Sequence, residues 1–354
     1  MTLRESHIAD NPEFPWLEAA DVDGISTCLN ALGWLESGER IVTCDKAGEG
    51  NMNLTLRVVT NLRSVILKQA RPWVEKYDTI PAPWDRCLFE QRFYERVQVL
   101  PAVADHMPKL LAADGDAKLL LLEDLGEAAD YTDLYADAAL HEPEIAALAK
   151  YLSTLHAGTR SEPDPAFANR EMRALNYEHI FVIPLATDNG LDVDAFEPGL
   201  SEMADKLRDD AEYMEWVRKM GDRYLADGPC LLHGDFFPGS WLYHDGGVKV
   251  IDPEFCFYGD PEFDLGVWLA HICLADQDES VFKELIGAYS GVFDSALTVR
   301  YAAVEIMRRL LGVAQLPIPV SDGTRSRLLE KSRHAMITGE IEVLWSFDSY
   351  SHLR

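Results

Sequence analysis

The tripeptide His233-Gly234-Asp235 is followed, seventeen residues after its aspartate, by Asp252-Pro253-Glu254. Little except a hairpin fits between them. Residues 231–235 read as a strand bending into a loop. Residues 241–243 and 248–251 then read as two short strands joined by His244-Asp245-Gly246-Gly247, a turn-forming tetrapeptide. A chain folded this way returns to Asp252 close to where it left Asp235. Carboxylates distant in sequence are thereby brought to one place, and alternative folds that separate them are disfavoured.

Elsewhere the pattern changes at residues 123–126. Before that point, residues 1–40 read as interrupted helical turns, and 41–44, 54–59 and Ser64–Gln69 as strands. Residues 47–53 read as a glycine-bearing turn. Residues 71–83, with three prolines, read as an irregular connector. Over 84–99, Leu88, Phe89, Phe93 and Val97 recur at helical spacing. Residues 118–122 form an apolar run suited to a buried strand. After Gly126 helices dominate: 143–156, segments within 199–227, then 261–276, 279–289, 295–315 and 324–340. The expectation is an α+β chain of two lobes. Residues 1–125 would form a small antiparallel-sheet lobe. Residues 126–354 would form a mostly helical lobe, with a cleft where the two meet.

Composition narrows the partners. Sixty acidic residues against 32 basic ones give a formal charge of -28, which repels phosphate backbones and argues against a nucleic-acid partner. Such acidity speaks first to solubility or a salt-adapted source, and second to attraction of a cationic substrate. No apolar run approaches the ~20 residues of a membrane span, and the first residues lack a signal-peptide core. The six cysteines are scattered without a CxxC pair, which fits reduced thiols in a cytoplasmic protein.

The residues that could carry chemistry are distributed in a definite order. Asp235 is a carboxylate suited to align an attacking hydroxyl. Asp252, with Glu254 and Ser240, supplies hard oxygen donors for Mg²⁺. Phosphoryl transfer from ATP requires both parts. Upstream, Lys68 interrupts an apolar strand and calls for an anionic partner. Glu90 on the following helix is the candidate, and an edge-strand lysine reaching solvent is the plain alternative. Asn51, in the glycine-bearing turn, could donate to phosphate, although a simple hairpin turn is the favoured reading of that segment taken alone. Glu123, Asp124 and Leu125 end a buried strand whose backbone could meet a nucleotide base. His156 could steer the loop of Asp235 or be satisfied by a carbonyl at its helix end. Asp264 is expected to brace that loop through its backbone N–H groups. Arg308 and Arg309 lie about 100° apart on a helix, so at most one is expected to face the site directly; a surface salt-bridge pair is the bland reading.

Taken together these segments resemble the 5-methylthioribose kinases, within the protein-kinase-like superfamily of aminoglycoside phosphotransferases and choline kinases. The resemblance is carried by GEGNMNLTLRV at 48–58, VILKQARPWV at 65–74, the run 85–90, LLLEDLG at 120–126, FANREMRALNYEHIFVIPL at 167–185, HGDFFPGS at 233–240, IDPEFCFYG at 251–259 and MRRLLGVAQ at 307–315. It implies a two-lobed protein-kinase-like fold and an ATP- and Mg²⁺-dependent transfer to the 1-hydroxyl of methylthioribose, in methionine salvage, by a homodimer. Asn51, Lys68 and Glu90 would serve the ATP phosphates, and Glu123, Asp124 and Leu125 the adenine. Asp252, Pro253 and Glu254 would meet nucleotide and metal. Asp235 would be the catalytic base and contact the sugar, with Arg308 or Arg309 reaching the acceptor. His233 and Asp264 would be structural, and residues 71–83 a mobile flap. The chain departs from that family at Phe236-Phe237, where Leu-His is usual, and at Pro238 in place of threonine. These positions adjoin the acceptor, so an aminoglycoside, choline or homoserine acceptor is the rival reading. A nucleotide-binding pseudokinase scaffold is a third, opposed by the presence of lysine, base and metal carboxylate together.

Overall fold

The computed structural model describes residues 2–48, 52–136, 138–318 and 323–346. They separate into two compact units. The first runs to Glu127 and also takes in Pro253–Phe255, and the remaining described residues form the second.

In the first unit, helices α1 (Leu3–Asp10) and α2 (Val22–Ala31) precede strands β1 (Ile41–Lys46), β2 (Leu54–Thr60) and β3 (Ser64–Gln69). A ribbon, β4 (Trp73–Val74) and β5 (Tyr77–Pro81), leads to helix α3 (Arg86–Val97). The short helix α4 (Pro101–Ala104) and strands β6 (Leu110–Asp114) and β7 (Leu119–Glu123) complete the unit. Five strands form one antiparallel sheet in the order β1-β2-β3-β7-β6. Alternation sets its faces: Leu54, Leu56 and Val58 of β2 are buried, with half-buried residues in between. These side chains join Val65, Leu67, Leu119 and Leu121 in a core closed by Ile25 and Leu29 of α2. Strand β7 is buried from Leu119 to Leu122 on both faces, so it needs cover on each side; α3 packs against it and β6.

Two features of this unit differ from expectation. Strand β6 was not anticipated, because its sequence, LLAAD, lacks the β-branched and aromatic residues that mark strands. Its partner β7 makes it a strand. Residues 71–83 are not an irregular connector, since Trp73 pairs with Pro81 and Val74 with Tyr77. The ribbon is anchored by buried Trp73, whose ring stacks 5.3 Å from Trp16. Arg71, also buried, donates to the Leu17 carbonyl and to Glu75 at 3.1 Å.

The second unit begins with β8 (Ala129–Asp130) and a 3-10 turn at Thr132–Tyr135. Helices α5 (Glu142–Gly158) and α6 (Arg170–Tyr177) follow, then a π-helical turn at Glu178–Val182 and helices α7 (Leu200–Asp209) and α8 (Ala211–Leu225). Strands β9 (Cys230–Leu232), β10 (Trp241–His244), β11 (Gly247–Val250) and β12 (Phe257–Gly259) come next. Helices α9 (Pro261–Leu274), α10 (Glu279–Ala288), α11 (Ser295–Leu311) and α12 (Thr324–Thr338) end the unit. The hairpin β10–β11 pairs from Trp241↔Val250 to His244↔Gly247, with Asp245 and Gly246 at positive φ in the turn. Strands β9 and β12 are antiparallel neighbours, so the segment entering the His-Gly-Asp loop lies beside the segment leaving Asp-Pro-Glu. Helix α9 is buried along its whole length, as an all-round apolar helix must be. It packs on α11, which packs in turn on α12.

Candidate active site

The loop after β9 is fixed by its backbone. Gly234 has φ +85°, a left-handed conformation that glycine adopts without a Cβ penalty. Asp264, in the first turn of α9 and fully buried, accepts the N–H of His233 at 2.8 Å and of Gly234 at 3.0 Å. The same carboxylate lies 3.2 Å from His156 Nε2, whose Nδ1 is 3.0 Å from the Tyr289 hydroxyl. His156 therefore reaches the loop through Asp264 and is not spent on a helix-end carbonyl. His233 Nε2 donates to the Ile251 carbonyl at 3.0 Å, and the Ile251 N–H donates to the carbonyl of buried Ser240 at 2.9 Å. The His-Gly-Asp loop is thus tied to the residue preceding Asp252. Asp252 itself stands at φ +63°, a left-handed conformation whose cost for a non-glycine residue is of order 1–3 kcal/mol and which clusters at functional sites.

Both arginines of α11 approach Asp235, a correction to the expectation of one. Arg308 Nη2 and Arg309 Nη2 lie 3.7 and 3.8 Å from the same oxygen, Oδ1. The cause is Glu305, one turn earlier, at the i+3 and i+4 spacings that put side chains together on a helix. Its Oε2 accepts from Arg308 Nε and its Oε1 from Arg309 Nε at 2.8 Å. Burial opposes the Glu305 charge, but the two guanidinium groups outweigh it and hold the carboxyl well below its usual range. Oε1 also takes His271 Nε2 at 2.9 Å, and His271 Nδ1 lies 2.5 Å from the Tyr135 hydroxyl. The Arg309 guanidinium sits 4.6 Å from the centre of the Phe237 ring. His179, in the π-helical turn, is pushed down by burial and by the nearby charge of Arg308.

Burial and the neighbouring arginines push the buried His271 imidazole down to about 4. A histidine lowered on folding takes up its proton more readily in the unfolded chain. Stability is therefore fully present above the unfolded value near 6.5 and is lost as pH falls toward 4. The expected loss from this group is roughly 3 kcal/mol. Thermal melts at pH 7, 6 and 5 check it: the transition should fall more steeply in the native chain than in His271→Asn, and equal slopes would reject the assignment.

In the first unit, Lys68 Nζ meets Glu90 Oε2 at 2.7 Å, both side chains being buried. Lys68 stands opposite Leu120 of β7, and Glu90 comes from α3. Asp124 is occupied by structure: it accepts from Arg57 Nε at 2.9 Å, Ser64 Oγ at 2.5 Å and the Gly126 N–H at 2.9 Å. Glu123 gives its N–H to the Lys109 carbonyl. Glu254 has partners that sequence reasoning did not name. Its Oε2 accepts from Asn53 Nδ2 at 2.9 Å and lies 3.2 Å from Arg86 Nε. Asn51 lies outside the described residues.

Sequence reasoning also missed Glu305, His271 and Tyr135. Glu305 had a signal, three and four residues before the arginine pair; His271 and Tyr135 had none, because their link is tertiary. Among the described residues no group of three or more His, Cys, Asp or Glu side chains gathers to hold a metal ion, and no helix is long and apolar enough to cross a membrane. All six cysteines are buried, and none is joined in a disulfide. A groove of about 530 Å³ beside α8 and α11 is lined by Trp216, Arg223, Leu297 and Arg300, with no candidate residue on its walls.

Comparison with known proteins places this arrangement. The family described as "Phosphotransferase enzyme family" matches residues 43–299. The methylthioribose kinase of Exiguobacterium sibiricum is 26% identical, over 85% of this chain and 88% of its own. That of Erwinia tasmaniensis is 29% identical, over 85% and 74%. Among solved structures, choline kinase LicA from Streptococcus pneumoniae superposes with a TM-score of 0.50 at 15% identity, covering 88% of this chain and 97% of that one. An AMP-bound spectinomycin phosphotransferase gives 0.50 at 14% identity, covering 94% and 100%. At such identities these two speak for the protein-kinase-like fold alone. With the family match extending from β1 to α11, through the Lys68–Glu90 pair and the braced Asp235 loop, the chain belongs to the phosphotransferase enzyme family and transfers phosphate to a hydroxyl.

Proposed function

We propose that this phosphotransferase is an ATP-dependent sugar kinase whose acceptor is S-methyl-5-thioribose, phosphorylated at its 1-hydroxyl, in the cytoplasm and as a step of methionine salvage. A homodimer is part of this reading. The observation that carries the acceptor class is the convergence of Arg308 and Arg309 within 4 Å of Asp235. Two guanidinium groups beside the carboxylate that would receive the hydroxyl offset the negative charge that an ammonium-bearing acceptor would seek, and suit a neutral polyol. The curated relatives, matched over most of their length, support the same acceptor.

In this mechanism Asp235 accepts a hydrogen bond from the acceptor hydroxyl and aligns it for in-line attack. Lys68, oriented by Glu90, neutralises charge on the phosphates. The backbone of residues 123–125 meets the adenine, since the Asp124 side chain is committed to Arg57 and Ser64. Asn51 contacts phosphate. The Asp252 carboxylate is a donor of the hard-oxygen kind that magnesium accepts alongside phosphate oxygens, and Ser240 and Glu254 stand near it in sequence. When bound, magnesium would supply neutralisation of the phosphate charge. Glu254 acts chiefly as the counter-charge of Arg86.

An ADP-release assay with methylthioribose, choline, homoserine and aminoglycosides tests the acceptor. Methylthioribose should be turned over at least ~100-fold more efficiently than any amine, the discrimination of a site that leaves polar groups unpaired with the wrong ligand. Turnover of an amine alone would reject the reading.

A further inference from the structure

The arginine pair stops just short of Asp235. At 3.7 and 3.8 Å the two Nη2 groups are close enough to attract Oδ1 and too far to hydrogen-bond it. Free arginines this near a carboxylate would close into a bidentate pair and take up the lone pairs that an acceptor hydroxyl needs. Each is restrained on its other edge, since Glu305 takes the Nε of both. Glu305 is itself fixed. His271 donates Nε2–H to it, which leaves Nδ1 to accept from the Tyr135 hydroxyl. The Phe237 ring then lies against the Arg309 plane.

We propose that Glu305 is a positioning residue that holds Arg308 and Arg309 at ion-pair distance from Asp235, so that neither guanidinium hydrogen-bonds that carboxylate in place of the acceptor hydroxyl, with His271 and Tyr135 fixing its orientation. This rests on the reading of Asp235 as the hydroxyl-orienting base. Two arginines balanced by two carboxylates leave the cluster neutral, so the restraint adds no net charge beside the acceptor. The arginine pair outweighs the burial that opposes the Glu305 charge and holds its carboxyl well below the usual range, so the hold does not switch with acidity.

Glu305→Gln removes the restraint and lets the arginines collapse onto Asp235. Its kcat should fall ~100-fold, the scale of losing one aligned group, while the KM for ATP stays within about twofold. A purely structural role would combine independently with an arginine change. Restraint predicts instead that Glu305→Gln/Arg309→Met is no slower than Glu305→Gln alone, even though Arg309→Met is itself slower than the native enzyme. Additive losses, or native kcat in Glu305→Gln, would overturn the proposal. If Glu305→Gln fails to fold, Glu305→Asp decides, because the shorter side chain keeps the charge and cannot reach both arginines. It should lose ~10-fold in kcat at unchanged ATP KM, and native kcat there overturns the proposal equally. Asp235→Asn separates the two layers. An active Asp235→Asn enzyme removes the base reading itself, whereas an inactive one beside native Glu305 variants removes the restraint alone.

Discussion

Asp235→Asn lowers kcat by about 10³-fold or more and leaves nucleotide affinity nearly intact, on the scale seen for groups that stabilise developing charge. The amide keeps the size of the side chain, so loop geometry should survive. That geometry is set by backbone bonds from His233 and Gly234 to Asp264 and by His233 to Ile251, none of which uses the Asp235 side chain. What is lost is the negative charge that faces Arg308 and Arg309 and that is proposed to draw the hydroxyl proton. The loss should therefore appear in kcat with methylthioribose and not in the calorimetric affinity for Mg-ATP. Native turnover in this variant rejects Asp235 as the base. Loss of nucleotide binding together with turnover would instead assign it to the nucleotide.

The sequence made some of this legible for definite reasons. The hairpin could be read because Asp245-Gly246 is a turn pair flanked by alternating residues, and both adopt the positive φ that such turns require. The meeting of Lys68 with Glu90 could be read because a lysine among Val65, Ile66 and Leu67 needs a counter-charge, and the next helix offers one. Their service to a nucleotide remains a separate proposal. What could not be read is tertiary. Strand β6 is a strand only because β7 offers it an edge. The ribbon at residues 71–83 depends on Trp73 finding Trp16, more than fifty residues away. The two arginines share one neighbourhood because Glu305 holds the Nε of both, which a count of 100° per residue ignores. Local rules describe where a side chain starts, and buried ion pairs decide where its charged end comes to rest.

Arg86 shows the same point with the largest expected effect on stability. Nothing in the run Asp85–Glu90 distinguishes it, yet it is fully buried and organises the first unit. Its Nη1 donates to the carbonyls of Arg71 at 2.6 Å and Pro83 at 2.8 Å, and its Nη2 to Met52 at 2.7 Å. Its Nε reaches Asn53 Oδ1 at 2.9 Å and lies 3.2 Å from Glu254. One guanidinium thus joins both ends of the 71–83 ribbon to the start of β2 and to the segment after Asp252. Burial lowers its affinity for the proton, and Glu254 offsets only part of that loss. Arg86→Met keeps much of the volume but takes the guanidinium away from the buried Glu254 carboxylate, a change that costs about 3–5 kcal/mol. For a unit of this size, that corresponds to a fall in melting temperature of roughly 10–15 °C. Scanning calorimetry should show it in the first unit's transition. Arg86→Met/Glu254→Gln should recover part of the loss, because the buried charge is gone while the lost carbonyl contacts are not restored. A native melting temperature in Arg86→Met would mean that the guanidinium only fills space there. A double variant no more stable than Arg86→Met would place the whole cost in the carbonyl contacts and none in the ion pair.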